Sequence, residues 1–311
     1  MLRQPVWTKR LGAVALGIGL GVLACSCSSA GSSSTNRAVS AVGAENQYAN
    51  VIAQIGGRYV DATAIMSNPN TDPHSFEASP AVARAVSSAQ LIVQNGVLYD
   101  TFMNTIEAAS PNPGRRVIEV QRLLKIPENT ANPHLWYDPT TMPVLAKAIE
   151  ADLCGLRRTH CSYFRTNLAR FESSLQPWRE AIARFKKAYP HTPVATTEPV
   201  ADYMLEAAGT DNLTPFGLQA DIMNGVDPAP QDISLQDNLF DQHKVKVFLY
   251  NEQVTDSITE SFLSRAKADG IPVVGVYETM PTPGYDYQSW MLAEVRALYR
   301  AVADKASTEH L

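Results

Sequence analysis

The sequence predicts an α/β protein of two lobes, each a mainly parallel sheet flanked by helices, joined by one long linker helix. In both halves of the chain, short apolar strands alternate with helical segments, which is the pattern of parallel sheets covered by helices. Between the halves, residues 163–189 keep helical apolar spacing for longer than any other segment. With 311 residues, 45% of them hydrophobic, the chain can bury a sizeable core.

The first 24 residues are predicted to be a signal peptide that is not part of the fold. Basic residues at its start precede an apolar stretch, residues 11–24, that is too short for a comfortable membrane span but suits a secretory signal. Residues 25–37 are rich in serine and are expected to form a flexible tether. The folded part is therefore expected to begin at residue 38.

A cysteine directly follows the apolar stretch and resembles the end of a bacterial lipobox. We expect cleavage before Cys25, lipid attachment to its thiol, and anchoring on the outer face of the cytoplasmic membrane. Cys27 is the alternative attachment site, and an ordinary cleaved signal is the alternative to a lipoprotein.

The N-terminal lobe is predicted to cover residues 38–162. Glycines at 56 and 57 end its first helix, and Pro80 takes the first position of its second helix, where no N–H is needed. Predicted strands cover residues 38–42, 59–66, 90–94 and 117–120, and predicted helices cover residues 45–55, 80–88, 101–109 and 139–153.

The linker region, residues 163–189, has apolar side chains at spacings of three or four. Pro177 lies inside this pattern and is expected to kink the helix or to start a new one. The C-terminal lobe is predicted to cover residues 190–311. Its predicted strands cover residues 193–196, 245–250 and 271–276, and its predicted helices cover residues 199–208, 233–242, 257–269 and 287–305.

The two cysteines of the folded part, Cys154 and Cys161, flank a short polar segment between helical stretches. An exported protein resides in an oxidising compartment, where cysteines pair. His160 lies beside them, but a zinc site would need a fourth ligand that this segment does not offer. We therefore expect a disulfide between Cys154 and Cys161.

The charge of the chain argues against nucleic acid as a partner. The formal net charge is -5 and the sequence isoelectric point is about 5.7. Charged residues make up 18% of the chain and form neither a basic stripe nor a long run of one sign.

Two proline-rich loops each carry one histidine directly after a proline. Residues 67–80, SNPNTDPHSFEASP, contain His74, and residues 126–138, IPENTANPHLWYD, contain His134. Proline fixes its own φ and restricts the residue before it, so the backbone leading to each histidine is stiff. One such histidine is explained equally well by an exposed loop. Two of them, in loops that can meet at the carboxyl edge of a parallel sheet, suggest metal ligands.

Two glutamates in the second half also leave the ends of apolar strands. Glu198 closely follows the strand at 193–196, and Glu278 closely follows the strand at 271–276. Each glutamate alone is better explained as a residue that stabilises a helix N-terminus. Together with two loop histidines, however, they indicate a site of two imidazoles and two carboxylates. The remaining histidines of this half are expected at the surface: His191, His243 and His310.

Four stretches in this order carry a family resemblance: SNPNTDPHSFEASP, QNGVLYD with NPHLWYDP, TTEPVADYMLEAAG, and VVGVYETMPTPGYDYQSWM. On these motifs, nearly the whole mature chain resembles the solute-binding lipoproteins of bacterial ABC importers for manganese and zinc, the type with a rigid interdomain helix. The resemblance implies one metal ion between the lobes, bound by His74, His134, Glu198 and Glu278. Asp286 is the alternative to Glu278. The implied partners are an ABC permease and its ATPase, and the protein is expected to be a monomer.

The expected ligands form a mixed nitrogen and oxygen site without thiolate. Carboxylates that bind through one or both oxygens allow the higher coordination that Mn(II) accepts, whereas imidazole suits Zn(II) and affinity alone favours zinc. We therefore expect Mn(II) slightly in preference to Zn(II), and Fe(II) is also compatible. The chain has six histidines but no histidine-rich run, which is a departure from a common zinc-type pattern.

Neighbours of these loops are candidates for orienting the imidazoles and for covering the metal. Candidates to accept the second imidazole N–H, with turn capping as the alternative, are Asp72, Asn132 and Asp138. Candidates to shield the site from water, with a plain core position as the alternative, are Trp136, Tyr203 and Trp290.

Two other functions fit parts of the pattern. An exported metalloenzyme can use two histidines and a carboxylate, but four protein ligands would leave no open position for water. The sequence also contains no His-Glu-x-x-His motif, nucleophile elbow or phosphate loop. A surface adhesin is the second alternative, which the sequence neither supports nor excludes. Metal capture and delivery, without enzymatic activity, is therefore the expected function.

Overall fold

The computed structural model describes residues 38–70, 72–281 and 283–311. The predicted signal peptide, the predicted lipid attachment at Cys25 and the predicted tether lie outside the described residues. Within those ranges, no helix combines the length and the apolar character needed to cross a membrane.

The N-terminal lobe is built on a four-stranded parallel sheet with the strand order β2-β1-β3-β4. The strands are β1 Val39–Glu45, β2 Val60–Met66, β3 Leu91–Gln94 and β4 Arg116–Glu119. The helices are α1 Asn46–Gly56, α2 Pro80–Ser88, α3 Thr101–Ala109, α4 Val120–Leu124 and α5 Thr141–Leu156. The central strands β1 and β3 are almost entirely buried, as expected for a parallel sheet covered on both faces.

The C-terminal lobe has a second four-stranded parallel sheet, with the order β6-β5-β7-β8. The strands are β5 Pro193–Thr196, β6 Asp211–Asn212, β7 Val247–Asn251 and β8 Val273–Val276. The helices are α8 Asp202–Ala207, α9 Phe216–Met223, α10 Pro230–Asp241, α11 Ser257–Ala268 and α12 Tyr287–Asp304. The predicted fold class, two parallel sheets flanked by helices, is therefore confirmed.

Two consecutive helices, α6 Cys161–Ser174 and α7 Gln176–Ala188, connect the two sheets. The single long linker helix expected over residues 163–189 is instead divided at Leu175 into two helices, and Pro177 lies in the first turn of the second. Inside a helix, a proline cannot donate the backbone hydrogen bond that the helix requires. In the first turn no such bond is formed, so a helix can begin at this proline. The second helix buries one side, which includes Trp178 and Phe185.

Most predicted elements are present, several with shifted ends. Helix α3 has the predicted bounds, whereas Val120 begins α4 although it lies in an apolar run that suggested a strand. The sequence pattern does not indicate β6, which is two residues long, or α9, whose sequence FGLQADIM has no clear polar side. The lobe boundaries placed after residues 162 and 189 remain a prediction.

The largest apolar core is continuous through both lobes and α7. Trp136, Trp178 and Tyr287 are fully buried in it. The rings of Trp178 and Tyr287 meet edge to face with centroids 5.8 Å apart, and the Tyr287 hydroxyl donates to the carbonyl oxygen of Trp136 over 2.6 Å. Because this core passes from one lobe to the other, separating the lobes would expose apolar surface to water.

The predicted disulfide is confirmed and ties the N-terminal lobe to the linker. Cys154 in α5 is bonded to Cys161 at the start of α6, with their Cα atoms 4.7 Å apart. The bond therefore fixes the point at which the linker helices leave the first lobe.

Candidate metal centre

The backbone N–H of each loop histidine donates to an Asx side chain two residues earlier. The N–H of His74 donates to Asp72 Oδ1 over 2.7 Å, in a short 3₁₀ turn that contains Pro73. The N–H of His134 donates to Asn132 Oδ1 over 3.0 Å. These Asx turns fix the direction in which each imidazole leaves its loop. Of the two roles predicted for Asp72, imidazole contact and turn capping, the structure shows turn capping, because its carboxylate accepts from the backbone N–H of His74.

Both predicted glutamates follow strand ends of the second sheet, Glu198 after β5 and Glu278 after β8. Gln253 Oε1 accepts hydrogen bonds from the backbone N–H groups of Glu278 and Thr279, over 2.6 and 2.8 Å, and so holds the chain at this bend. Since β5 and β8 are parallel strands of one sheet, both carboxylates emerge at the same edge.

The structure brings His74, His134 and Glu278 together. Glu278 Oε2 lies 3.1 Å from His74 Nε2 and 3.2 Å from His134 Nε2. One ligand atom from each residue lies within 4.8 Å of the others, so a single ion between them could contact all three. The hydroxyl of Tyr99 donates to the same Glu278 oxygen over 2.8 Å. Two histidines of the N-terminal lobe thus face a glutamate of the C-terminal lobe.

Glu198 lies outside this cluster of ligand atoms and is connected to it through Asn251. The side-chain amide of Asn251 donates to Glu198 Oε1 over 3.0 Å and to Glu278 Oε1 over 2.8 Å. The other oxygen of Glu198, Oε2, is buried and has no hydrogen-bond partner among the described residues. An orphaned buried carboxylate oxygen costs free energy, which a cation bound there would offset.

The two histidines differ in their access to water. The side chain of His134 is fully buried, whereas 24% of the His74 side chain is exposed. Burial lowers the pKa of His134 despite its hydrogen bond with Glu278. Burial also acts to lower the pKa of His74, but the charge and hydrogen bond of Glu278 and the charge of Asp72 outweigh it and raise that pKa. His74 therefore keeps its proton to a higher pH than His134 does.

The pKa values of the two glutamates are shifted in opposite directions. Burial acts to raise the pKa of Glu278, but the charges and hydrogen bonds of His74 and His134 hold it well below its usual value. Burial and the charge of Glu278 raise the pKa of Glu198 well above its usual value. Glu278 is therefore the carboxylate that pairs with the histidines, and Glu198 is the carboxyl group that keeps its proton to a higher pH than usual.

A cleft of about 640 Å³ opens beside His74. It is bordered by the His74 loop on one side and by residues 222–225 and 253–256 on the other. His74 lines this cleft, whereas His134, Glu198 and Glu278 are buried and do not line it. Among the candidate ligands, His74 is therefore the one that an ion entering through the cleft would reach first.

The other polar candidates divide between the site and local capping. Asn132 Oδ1 lies 2.8 Å from His134 Nδ1, which leaves Nε2 of that ring to face the site. Asp138 instead accepts hydrogen bonds from the N–H and hydroxyl of Thr140 and caps a turn. Asp286 caps the start of α12 and is not part of the cluster of ligand atoms that contains Glu278. The histidines expected at the surface are exposed: His191, His243 and His310.

The three candidate covering aromatics have three different roles. Trp136 meets the His134 ring edge to face, with centroids 5.4 Å apart, and so covers a candidate ligand. The Tyr203 hydroxyl donates to the Asn132 carbonyl oxygen over 2.9 Å and supports the loop of His134. Trp290 packs against Tyr137 with ring centroids 5.7 Å apart, so it belongs to the core.

Tyr99, Asn251 and Gln253 contact the candidate ligands, yet a search for histidines and carboxylates does not find them. Asn251 is the last residue of β7, Gln253 follows it by two residues, and Tyr99 follows β3. They occupy the same sheet edges as the candidate ligands. The rule that sites form at the carboxyl ends of parallel strands, applied to amides and hydroxyls, would have pointed to them.

Side chains in the first turn of α1, in the N-terminal lobe, form hydrogen bonds with the loop of Glu278 in the C-terminal lobe. The Asn46 side-chain amide donates to the Met280 carbonyl oxygen, and the Met280 N–H donates to Asn46 Oδ1, both over 2.8 Å. The Gln47 side-chain amide donates to the Glu278 carbonyl oxygen over 3.2 Å. The position of Glu278 therefore depends on residues of both lobes.

Comparison with known proteins finds one relative named for manganese binding and one named for zinc binding. The chain is 24% identical over 149 residues to the manganese-binding lipoprotein MntA of Bacillus subtilis, a match that covers 46% of this chain and 48% of that protein. It is 25% identical over 132 residues to the zinc-binding protein TroA of Treponema pallidum, covering 40% of this chain and 42% of that protein. The matched segment thus spans less than half the length of these curated relatives.

Solved structures share the fold at low sequence identity. The periplasmic zinc-binding protein TroA from Treponema pallidum superposes with a TM-score of 0.69 at 17% identity, covering 83% of this chain and 99% of that one. A mutant structure of the laminin-binding adhesin Lmb from Streptococcus agalactiae gives a TM-score of 0.70 at 19% identity, covering 85% of this chain and 99% of that one.

A family model described as zinc-uptake complex component A periplasmic, ZnuA, matches residues 42–301. This range includes all four candidate ligands and all the strands except the first three residues of β1, and it is far more than half of the chain. The resemblance seen in the sequence motifs is thereby confirmed. The chain belongs to the ZnuA family.

Proposed function

We propose that the protein captures a divalent transition metal ion outside the cytoplasm and delivers it to an ABC permease with its ATPase. The observation that carries the proposal is the meeting of His74, His134 and Glu278 from two lobes, with the unpartnered oxygen of Glu198 at the same edge. Imidazole and carboxylate together suit transition metals such as Zn(II) and Mn(II). The ligands come from both lobes, so capture and release depend on how the lobes meet.

The metal proposed is of the manganese and zinc class. The names of MntA and TroA assign manganese to the first relative and zinc to the second. The slight preference for Mn(II) expected from the ligand types remains a prediction, and Fe(II) is compatible with the same ligands.

The proposed location is the outer face of the cytoplasmic membrane, with the protein anchored through a lipid on Cys25. The apolar N-terminal stretch with its lipobox-like end supports this, and the name of MntA includes the word lipoprotein. A monomer with lobes at residues 38–162 and 190–311 is part of the same proposal. Each lobe supplies half of the ligands, so one chain suffices for the site.

Replacing Glu198 with alanine tests the proposal against an exported metalloenzyme. Loss of a ligand should weaken metal binding by more than the roughly 10- to 100-fold typical of an outer-shell partner. The measurement is competitive titration of Zn(II) and Mn(II), followed by isotopic metal uptake in cells that lack the gene. Glu206→Ala, at an exposed position of α8, is the matched control and should bind as the wild type does. If Glu198→Ala kept its affinity for metal, the proposal would fail.

A further inference from the structure

Asn251 is the last residue of β7 and is completely buried between the two candidate glutamates. Its side-chain amide has two N–H bonds. One donates to Glu198 Oε1 over 3.0 Å and the other to Glu278 Oε1 over 2.8 Å. The residue therefore contacts both carboxylates at once, although none of its own atoms is a good metal-ligand candidate in this orientation.

The orientation of this amide is fixed by the rest of the residue. Asn251 Oδ1 accepts a hydrogen bond from the Gln253 backbone N–H over 3.0 Å, and the Asn251 backbone N–H donates to Thr197 Oγ1 over 3.0 Å. A flipped amide would place its oxygen against two carboxylates and would leave the Gln253 N–H facing a donor. The two N–H bonds thus face the glutamates.

In each glutamate, Oε1 accepts a hydrogen bond from Asn251 and is therefore not free to bind a metal ion. Glu278 keeps Oε2, which lies 3.1 Å from His74 Nε2 and 3.2 Å from His134 Nε2. Glu198 keeps Oε2, which is buried without a hydrogen-bond partner among the described residues. Three ligand atoms, from His74, His134 and Glu278, already lie within 4.8 Å of one another. Oε2 of Glu198, which is outside that cluster, would be the fourth when a metal ion binds.

We propose that Asn251 determines the metal selectivity of this site by restricting both glutamates to one oxygen each. A site with four ligands suits Zn(II), which is commonly tetrahedral in proteins. Mn(II) prefers a higher coordination number and ligands that are mostly oxygen. The inference rests on the proposed metal-binding function and specifies which metal that site favours. It also opposes the argument for Mn(II) from the sequence, because that argument needs carboxylates that bind through both oxygens.

Asn251→Ala tests the proposal because it frees Oε1 of both glutamates without touching a ligand. The dissociation constant for Zn(II) should rise by about 10- to 100-fold, as for other outer-shell partners, while that for Mn(II) should rise much less. The ratio of the two constants should therefore shift toward Mn(II) by about tenfold or more. Competitive titration of both metals into the full-length protein measures this ratio.

Bound Co(II) provides a second readout that does not depend on affinity. Four-coordinate Co(II) absorbs visible light much more strongly than five- or six-coordinate Co(II), so the wild type should give intense bands and Asn251→Ala weaker ones. Asn251→Ser, which is too short to reach both carboxylates, should behave in the same way. Circular dichroism identifies the variant that folds, and that variant is used.

Asn132→Ala is the matched control, since Asn132 also contacts a ligand but acts on a histidine. This variant should lower the affinities for Zn(II) and Mn(II) by similar factors and leave the intensity of the Co(II) bands unchanged. An unchanged Zn/Mn ratio together with unchanged Co(II) bands in the Asn251 variants would overturn the role of Asn251 and leave the proposed function standing. Failure of the wild type to bind either metal would overturn the proposed function and this inference with it.

Discussion

Glu278 is a fully buried carboxylate surrounded by donors from both lobes. His74, His134, Tyr99 and Asn251 all contact its two oxygens, over 2.8 to 3.2 Å. A buried charge is stable only when it is paired and hydrogen-bonded, and these contacts meet both conditions. A metal ion that binds here must compete with protons on the histidines.

The competition with protons predicts a steep pH dependence of metal affinity. The raised pKa of His74 and the raised pKa of Glu198 mean that both candidate ligands hold protons to a higher pH than usual, and a metal ion would have to displace those protons. His134 has a lowered pKa and competes only under more acidic conditions. Affinity should therefore fall continuously from about pH 8 to about pH 5, the range in which histidine titrates.

Competitive zinc titration at several pH values checks this expectation. Circular dichroism of the metal-free protein over the same range serves as the control for unfolding. A pH-independent affinity would rule out a site with two histidine ligands.

The turn after β3 is a strained element that carries a functional side chain. Gly96, Val97 and Leu98 have φ angles of 79°, 54° and 60°, and two of these three residues are not glycine. Gln121 Oε1 accepts a hydrogen bond from the Val97 N–H over 2.9 Å and helps to hold the turn. The next residue is Tyr99, which donates to Glu278. Strain held by surrounding hydrogen bonds is typical of functional loops, and here it positions a contact between the lobes.

Leu98→Gly should stabilise the protein because it relieves part of this strain. Leu98 is 69% exposed, so little apolar burial is lost, and a left-handed conformation costs about 1 to 2 kcal/mol for a residue with a side chain. After the entropy that glycine loses on folding, the net gain should be roughly 0.5–1 kcal/mol in the free energy of unfolding. Urea denaturation measures it, with Leu98→Ala as the control that keeps Cβ. Equal stabilities of the glycine and alanine variants would argue against strain at this position.

At the level of the whole molecule, the lobes are held together by a shared core and by polar contacts around the site. The continuous apolar core includes Trp136, Trp178 and Tyr287. Asn46 reaches the Met280 backbone from the other lobe, and Asn132 donates to the Pro199 carbonyl oxygen over 2.7 Å. These contacts oppose separation of the lobes, so we expect them to slow the release of a bound ion.

Asn46→Ala should both destabilise the protein and speed metal release. The variant leaves the N–H and carbonyl of Met280 buried without a partner, at a cost of about 2 to 4 kcal/mol in the free energy of unfolding. The loop that carries Glu278 loses its anchor, so the metal dissociation rate should rise. Stopped-flow chelation measures the rate and thermal denaturation the stability. Asn238→Ala, at an exposed position of α10, is the control, and equal release rates in the two variants would contradict the anchoring role.

The sequence predicts the fold well because strand–helix alternation and helix length are local properties. Helix α3 has the predicted bounds, and Pro177 starts a helix as one of the two expected outcomes. Strand β6 is not predicted because two residues are too few to show an alternating pattern, and α9 is not predicted because it has no clear polar side.

For the site, local sequence identifies the residue types and their strand-end positions but not how they meet. His74, His134, Glu198 and Glu278 can be proposed from loops and strand ends alone. The bridge of Asn251 between two carboxylates depends on the register of β7 between β5 and β8, which no single stretch of sequence encodes. Contacts across the lobes, such as Tyr99 with Glu278, depend on how two sheets pack.

Crystals of the protein grown with Zn(II) or Mn(II), measured on both sides of the absorption edge of the metal, test the site most directly. We expect one strong anomalous peak between the lobes, within bonding distance of His74 Nε2, His134 Nε2, Glu278 Oε2 and Glu198 Oε2. Four bonds of about 2.0–2.2 Å are expected for Zn(II). A peak elsewhere, or a peak between the lobes that lacks Glu198 or either histidine as a ligand, would contradict the account.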